Sequence, residues 1–283
     1  MKNSRIESLH ITEEAMGDIT VEFLGTRGSV SVEGVEYREF GGTTACVVVH
    51  MGNQMIVLDA GSGFHGMEGY FHENQKEFAL LFSHTHIDHL GGLLCEPIMF
   101  DPTYEVHIYG ITRRSLTIQD QIDCLLQPPI WPIRQSSFAI KRTYHNVEDT
   151  FYMGDVLVKT AQANHPGGST VYRLEYQGRS LVYMTDHEFS EDTRKAMEEI
   201  AHHATLLICD GQYTPAEYKV RNDFGHSNYE DTIAFARKVG CEQLAIFHHD
   251  PMHHDIELNE MERKVQEQMT NALLARKGGI IRL

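Results

Sequence analysis

Short apolar runs and alternating apolar and polar positions recur along the chain, and they predict a series of strands. Alternation over 19–24 predicts the first strand. Segments 45–50 and 54–58 surround Met51-Gly52-Asn53, which predicts a hairpin. The apolar run at 78–82 predicts a buried strand. The same criteria predict further strands at 106–109, 151–161, 170–176, 180–185, 205–209 and 243–247.

Helical spacing and cap signals predict four helices between these strands. The first covers 112–126 and ends before the prolines at 128, 129 and 132. Ser190 opens the second, the capping box 227–230 opens the third, and Asp255 opens a last helix that reaches about Lys277. Hairpins come first and strands then alternate with helices. This order predicts two sheets with helices outside.

Composition narrows the class of protein. The 283 residues fit one large domain or two small ones, and 41% hydrophobic with 23% charged residues is typical of globular proteins. The net charge of −16 opposes docking of a long polyanion, because such binding relies on Lys and Arg. Five widely spaced cysteines without a CxxC predict neither a disulfide framework nor a cysteine zinc site. No apolar stretch predicts a signal peptide or a membrane span, so we expect a cytoplasmic protein without a membrane partner.

The densest chemistry lies in His84-Thr85-His86-Ile87-Asp88-His89, directly after a predicted buried strand. Imidazole and carboxylate groups are the ligands that Zn²⁺ and Mn²⁺ take from proteins. Residues two apart on an extended segment point the same way, so His84 and His86 can bind one metal ion. Asp88 and His89 lie beyond the turn and can face a second one.

Other polar residues also follow predicted strands. They are Asp59, His165, Asp186 and His248. Because the ends of adjacent strands gather along one edge, we expect these groups to converge with the histidine cluster. The sequence therefore predicts a two-metal centre.

The motifs formed by these residues resemble those of the metallo-β-lactamase superfamily. The run from Ser83 to Gly92 matches its HxHxDH motif followed by glycine, and the resemblance extends over 19–254. It is closest to the branch of ribonuclease Z and the cyclic nucleotide phosphodiesterases, including the phage anti-Pycsar enzymes. The motifs that indicate this branch are Gly25-Thr26-Arg27-Gly28-Ser29, Gly41-Gly42-Thr43-Thr44, Leu58-Asp59-Ala60-Gly61, Asp210-Gly211-Gln212-Tyr213-Thr214, Gly225-His226-Ser227 and His248-His249-Asp250-Pro251.

The resemblance implies a single α+β domain over 1–283, an αββα sandwich of two mostly antiparallel or mixed sheets with helices outside. Residues 1–18 would be an N-terminal extension, and 110–150 a helix and proline-rich insertion that caps a site. Within the insertion, the apolar loop 127–132 could cover the site of a partner subunit in a homodimer, or pack on its own domain.

The resemblance also assigns the metal ligands. His84, His86 and His165 would bind a first ion, Asp88, His89 and His248 a second, and Asp186 would bridge both. His249 is the alternative to His248. Asp59 would orient an imidazole N–H from behind the ligands. The cofactors are then two divalent ions, Zn²⁺ ahead of Mn²⁺.

The implied activity is hydrolysis of a small nucleotide, with a 3′,5′-cyclic mononucleotide as the preferred substrate. A hydroxide between ions about 3.5–4 Å apart would attack phosphorus in line with the leaving oxygen. Asp88 and His226 are the predicted catalytic residues, and His226 would protonate the leaving alkoxide. The family motif around this histidine is His-Ser-Thr, and Asn228 replaces its threonine here.

Two alternatives stay open. One is a transfer RNA 3′-end endonuclease like ribonuclease Z, although the chain lacks a long basic, glycine-rich arm and is strongly acidic. The other is a non-catalytic, metal-containing protein that binds a nucleotide.

Overall fold

Two mixed β-sheets pack face to face across an apolar layer in the computed structural model, which describes residues 19–94 and 96–283. The predicted extension at 1–18 lies outside the described residues. The first sheet has the strand order β14-β1-β2-β3-β4-β5-β6, and the second has the order β13-β12-β11-β10-β9-β8-β7. The strands are β1 Ile19–Gly25, β2 Cys46–Met51, β3 Gln54–Leu58, β4 Glu77–Leu81, β5 Glu105–Gly110, β6 Lys141–Asn146, β7 Thr150–Met153, β8 Val156–Ala163, β9 Ser169–Tyr176, β10 Arg179–Met184, β11 Leu206–Asp210, β12 Gln243–Phe247, β13 Ala272–Leu274 and β14 Ile280–Arg282.

Each sheet is antiparallel at one side and parallel at the other. The pairs from β14 to β3 are antiparallel and those from β3 to β6 parallel. The second sheet repeats this arrangement, antiparallel from β7 to β10 and parallel from β10 to β13. The parallel strands of both sheets therefore direct their carboxyl ends to loops that can meet at one edge.

Helices cover the outer faces. The α-helices are α1 Ile87–Leu90, α2 Ile118–Leu125, α3 Glu191–Ala201, α4 Pro215–Arg221, α5 Tyr229–Val239 and α6 Asp255–Gln268. Apolar faces of α3, α5 and α6 pack on the second sheet, and α2 packs on the first together with short 3₁₀ turns. The layer between the sheets is filled by buried side chains such as Phe23, Leu81, Tyr183 and Phe247. The prediction of two sheets with helices outside is confirmed.

Several predicted boundaries are wrong. The strand predicted over 151–161 is a hairpin, because Gly154 takes φ +54 and turns the chain between β7 and β8. The last helix ends at Gln268 rather than near Lys277, and β13 and β14 follow it. Pairing with β12 and β1 outweighs the helical propensity of this segment.

The helical and capping signals need similar correction. In the predicted helix 112–126, α2 begins only after Thr117, whose side chain caps it. Asn228, not Ser227, caps α5 by accepting from Glu230 N–H and Asp231 N–H. The Ser227 hydroxyl instead donates to the backbone carbonyl of His187 at 2.6 Å.

The segment 110–150 contains more regular structure than predicted. It includes β6, the edge strand of the first sheet, as well as α2. Among the described residues, none of the helices combines the length and apolar character needed to span a bilayer.

Candidate metal centre

The predicted ligands converge in loops at the carboxyl ends of strands. His84 to His89 follow β4 and enter the short helix α1, whereas His165 follows β8. Asp186 lies two residues after β10, and His248 lies directly after β12. The two sheets thus contribute ligands from opposite sides of one edge.

Three residues at these strand ends take a left-handed backbone conformation. The φ angle is +59 at Asp59, +51 at Asp186 and +64 at His248. This conformation is costly for residues other than glycine, and such residues concentrate at functional sites. Here the turn directs each side chain into the space between the sheets' loops instead of along the strand.

Four groups of described side chains have possible ligand atoms within 4.8 Å of one another; two contain His226, namely His165, Asp186 and His226, and Asp210, His226 and His248, and the other two contain all the predicted ligands. The first set is His84, His86 and His165, and the second set is Asp88, His89, Asp186 and His248. His86 Nδ1 lies 3.1 Å from His165 Nε2, so both nitrogens face one point. The structure brings together every residue that was predicted to bind metal.

Asp186 lies between the two sets, as a bridging carboxylate would. Its Oδ1 is 3.7 Å from His84 Nε2 and 3.7 Å from His165 Nε2. Its Oδ2 is 3.2 Å from His89 Nε2 and 3.3 Å from His248 Nε2. One oxygen therefore faces each set.

Hydrogen bonds behind the imidazoles fix which nitrogen faces the centre. His165 Nδ1–H donates to the Gly225 carbonyl at 2.9 Å, and His248 Nδ1–H donates to Gln212 Oε1 at 2.9 Å. His89 Nδ1–H donates to Asp59 Oδ2 at 2.8 Å. Each bond leaves Nε2 as the nitrogen directed at the centre, which is the arrangement found behind metal-binding histidines.

Two buried nitrogens at the centre fit metal ions well. His84 Nε2 and His89 Nε2 are buried and lack a hydrogen-bond partner among the described residues. A buried polar atom without a partner is costly unless another group, such as a cation, satisfies it. Burial holds the pKa of His84 well below its ordinary value, so its imidazole is neutral, as a ligand must be.

The carboxylates of the second set are ionised. Burial raises the pKa of Asp88, but the adjacent His89 and His248 outweigh it and hold this pKa far below its usual range. Burial likewise opposes ionisation of Asp186, and His248, His89 and His84 together hold its pKa well below normal. Ionised carboxylates and imidazole nitrogens suit Zn²⁺ or Mn²⁺.

Asp59 takes the orienting position that the resemblance assigned to it. Besides His89, its carboxylate accepts from Ser83 N–H at 2.7 Å, from the Ser83 hydroxyl at 2.7 Å and from Tyr183 O–H at 2.9 Å. Four donors saturate this fully buried group. It thereby ties the residue before His84 to the ring of His89.

His226 lies beside both sets and is buried. Its ring stacks on His248 with centroids 4.9 Å apart and lies 5.1 Å from the ring of His165. Nδ1–H donates to Asp210 Oδ2 at 2.7 Å. Burial lowers the pKa of His226, but the Asp210 carboxylate outweighs it and raises that pKa to about 9. The ring can thus hold a second proton on Nε2, the nitrogen that Asp210 does not bind.

His249, the alternative ligand, faces away from the centre. Its Nε2 bonds the Ala275 carbonyl at 2.8 Å, and its ring packs edge-on against Phe40. Burial lowers its pKa to about 3. The structure brings His248, not His249, to the ligand sets.

Two residues that organise the centre, Asp210 and Glu188, have no predicted role in the sequence analysis. Asp210 orients His226. Its position at the end of a strand, like that of Asp59 after a strand, is a sequence pattern that indicates such a role. Glu188 accepts from Tyr218 O–H at 2.7 Å, Asp223 N–H at 2.9 Å and Gly225 N–H at 3.0 Å. No pattern around Glu188 indicates these partners, which belong to α4 and to the turn that follows it.

A cavity of about 750 Å³ lies elsewhere, at the amino ends of β4, β5 and β6. Its walls include Lys76, Glu77, His107 and Lys141, and none of the predicted ligands. The functional site is therefore identified by converging ligands and by buried nitrogens without a hydrogen-bond partner, and not by the size of a cavity.

Comparison with known proteins agrees with this geometry. A family profile described as the Beta-lactamase superfamily domain matches residues 54–249. The chain therefore belongs to the metallo-β-lactamase superfamily, and its relatives include ribonuclease Z-like proteins. It is a metallo-hydrolase of the β-lactamase fold.

Individual proteins resemble the chain over nearly its whole length. Ribonuclease Z from Methanopyrus kandleri is 22% identical, over 94% of this chain and 98% of that protein. YhfI from Bacillus subtilis, a metallo-β-lactamase fold protein, has a TM-score of 0.72 at 16% identity, over 94% of this chain and 100% of YhfI. The short form of human tRNase Z has a TM-score of 0.67 at 17% identity, over 93% and 98%. The structural likenesses show the fold.

Proposed function

We propose that this protein is a phosphodiesterase that requires two divalent metal ions and hydrolyses a small nucleotide, preferentially a 3′,5′-cyclic mononucleotide. The observation that carries the proposal is the Asp210–His226 pair beside the two ligand sets. Hydrolysis of a phosphodiester expels an alkoxide, which needs a proton. Hydrolysis of an ester or amide also releases a group that needs a proton, so the choice of phosphorus rests in addition on relatives whose names denote chemistry at phosphorus.

The two ligand sets would hold Zn²⁺ or Mn²⁺, which when bound supply a nucleophile at neutral pH and neutralise charge on the phosphate oxygens. His226 acts as the general acid. Because Asp210 accepts its Nδ1–H, the proton available to the leaving oxygen is on Nε2. The Asp88 carboxylate accepts from Ser29 N–H at 2.7 Å and thereby connects the loop after β4 to the loop after β1.

Relatives and charge support a small phosphorylated substrate. The relative from Methanopyrus kandleri is a ribonuclease Z, and a solved structure of a diphosphatase from the PhnP family has a TM-score of 0.67 at 17% identity. Both names denote chemistry at phosphorus. The net charge of −16 opposes a long nucleic acid, because phosphate contacts require Lys and Arg.

A homodimer is part of the proposal. In the loop 127–132, Ile130 is 65% exposed, whereas Trp131 packs against the outer face of the first sheet. The tryptophan anchors the loop and leaves the isoleucine on the surface, as contact with a second copy requires.

The test is turnover by purified protein loaded with Zn²⁺ or Mn²⁺. Bis(p-nitrophenyl) phosphate should be hydrolysed, and Asp88→Ala should abolish the activity because it removes a second-set ligand. Asp155→Ala, at an exposed turn between β7 and β8, is the matched control and should retain it. Equal inactivity of wild type and Asp88→Ala on all phosphodiesters would sink the enzyme proposal.

A substrate panel tests the finer claim. Cyclic mononucleotides, cyclic dinucleotides and precursor transfer RNA are compared by kcat/KM, and the proposal expects cyclic mononucleotides to lead. Cleavage of precursor transfer RNA alone would favour the endonuclease that the Methanopyrus relative's name indicates. Binding of nucleotides without turnover of any would favour the non-catalytic alternative.

A further inference from the structure

Large apolar side chains are exposed near the ligand sets although the protein is strongly acidic. Three large apolar side chains there are exposed, Val30 at 55%, Ile87 at 55% and Phe224 at 60%. Val30 follows Ser29, whose N–H donates to the Asp88 carboxylate, and Ile87 directly precedes Asp88. Phe224 is the aromatic member, and it precedes the loop that carries His226.

Backbone geometry places Phe224 next to the ligand sets. Its neighbour Gly225 lies against His165, since a Cβ added to this glycine would be 2.4 Å from His165 Nδ1. The Gly225 carbonyl accepts from the same nitrogen at 2.9 Å. Consecutive Cα atoms are about 3.8 Å apart, so Phe224 is one residue removed from direct contact with a predicted ligand.

The turn that bears Phe224 is held from inside. Asp223 and Gly225 take φ +67 and +89, and their N–H groups donate to the two oxygens of the buried Glu188. Phe224 is thus fixed on both sides while its own ring stays exposed. An exposed ring on a fixed backbone loses little conformational entropy when a ligand covers it, whereas a ring on a loose loop loses more.

We propose that Phe224 forms a stacking subsite for the nucleobase of the substrate. The inference rests on the proposed nucleotide substrate and names the part of the nucleotide that is recognised away from phosphorus. Every base has a flat π face, so an aromatic ring binds bases with little dependence on sequence. The subsite would take purines more tightly than pyrimidines, since they offer more area for stacking.

The test measures binding rather than turnover. Adenosine 5′-monophosphate, uridine 5′-monophosphate and ribose 5-phosphate contain no phosphodiester, and isothermal titration calorimetry of the metal-loaded protein gives a Kd for each. We expect adenosine 5′-monophosphate to bind about ten-fold more tightly than ribose 5-phosphate, with the uridine nucleotide between them. Phe224→Ala should remove this difference, and Phe224→Trp should keep it.

The control is Tyr152→Ala, which deletes an aromatic side chain that is 69% exposed on β7. It should leave all three Kd values unchanged. Equal binding of the nucleotide and the base-free sugar phosphate by wild type, or an unchanged ratio in Phe224→Ala, overturns the subsite. Reduced self-association of Phe224→Ala in sedimentation, with the ratio unchanged, also overturns it and assigns the ring to a subunit contact. None of these results depends on phosphodiester turnover, so failure of the subsite is distinguishable from failure of the proposed activity.

Discussion

At the scale of single residues, the centre contains two aspartate–histidine pairs of the same local geometry. Asp59 accepts from His89 Nδ1–H at 2.8 Å, and Asp210 accepts from His226 Nδ1–H at 2.7 Å. The Nε2 of His89 faces two ionised carboxylates, whereas His226 stacks on His248 at the edge of the sets. Under the proposed function, the same kind of pair would serve metal binding in one case and proton transfer in the other.

This difference in surroundings predicts different losses for the two histidines. His89→Ala should release metal, because it removes a ligand. His226→Ala should retain both ions and lose about 10²–10⁴-fold in rate on substrates with an alkoxide leaving group. On bis(p-nitrophenyl) phosphate the loss should be small, because p-nitrophenolate leaves without a proton.

Metal analysis of the purified variants and kcat with both substrate types provide the measurement. Asp210→Asn serves as the companion variant, and combining it with His226→Ala should add little to the loss from His226→Ala alone. Metal loss in His226→Ala, or equal losses on both leaving groups, would instead make this histidine a ligand.

At the scale of elements, Glu188 connects two loops that the chain order keeps apart. It follows β10 by four residues, and its partners belong to α4 and to the turn before α5. The carbonyl that orients His165 and the imidazole of His226 both lie in this turn. One buried carboxylate thus holds the turn that carries both the Gly225 carbonyl and His226.

Glu188→Gln should loosen this turn without unfolding the protein. Glutamine supplies one oxygen in place of two, so either Asp223 N–H or Gly225 N–H loses its acceptor, at a cost of about 1.5–3 kcal/mol. Hydrogen exchange in 222–226 should then accelerate by about ten-fold or more. Glu198→Gln, which removes an exposed ion pair with Lys238, should leave this exchange unchanged. Unchanged protection of 222–226 in Glu188→Gln would contradict the role of Glu188.

The elements also show how much the sequence could reveal. Buried strands such as β4 and β12 and the ligand cluster after β4 follow from local pattern, since their apolar runs and motif are contiguous. β13 and β14, three residues each, carry little periodicity and are defined by their pairing with β12 and β1. The choice of His248 over His249 also follows from local pattern, since His248 directly follows β12, whereas the bonds of Glu188 depend on side-chain direction after tertiary folding. Local sequence does not encode that direction.

At the scale of the whole molecule, the centre joins the two sheets. His84, His86, Asp88 and His89 follow a strand of the first sheet, whereas His165, Asp186 and His248 follow strands of the second. Without a cation, buried ionised carboxylates and imidazoles with unpaired nitrogens face one another across this junction. Bound metal ions would satisfy these groups and link the sheets at the same time.

Metal removal should therefore destabilise the entire fold rather than one loop. A ligand that binds only the native state stabilises it by about 2.7 kcal/mol at 100 times its Kd, which corresponds to a shift in Tm of several degrees. We expect the chelated protein to melt several degrees lower and to recover with Zn²⁺ or Mn²⁺ in a concentration-dependent manner. Asp88→Ala should show a smaller metal-dependent shift in Tm than wild type, because it removes a ligand of the second set and leaves the first set intact, and His107→Ala, on β5 and outside the ligand sets, should respond like wild type. Scanning calorimetry measures the shift, and hydrogen exchange locates it.

Because ligands come from both sheets, chelation should lower the protection of β4 and β10 together. Loss confined to one sheet would show that the ions stabilise a loop and do not link the two halves.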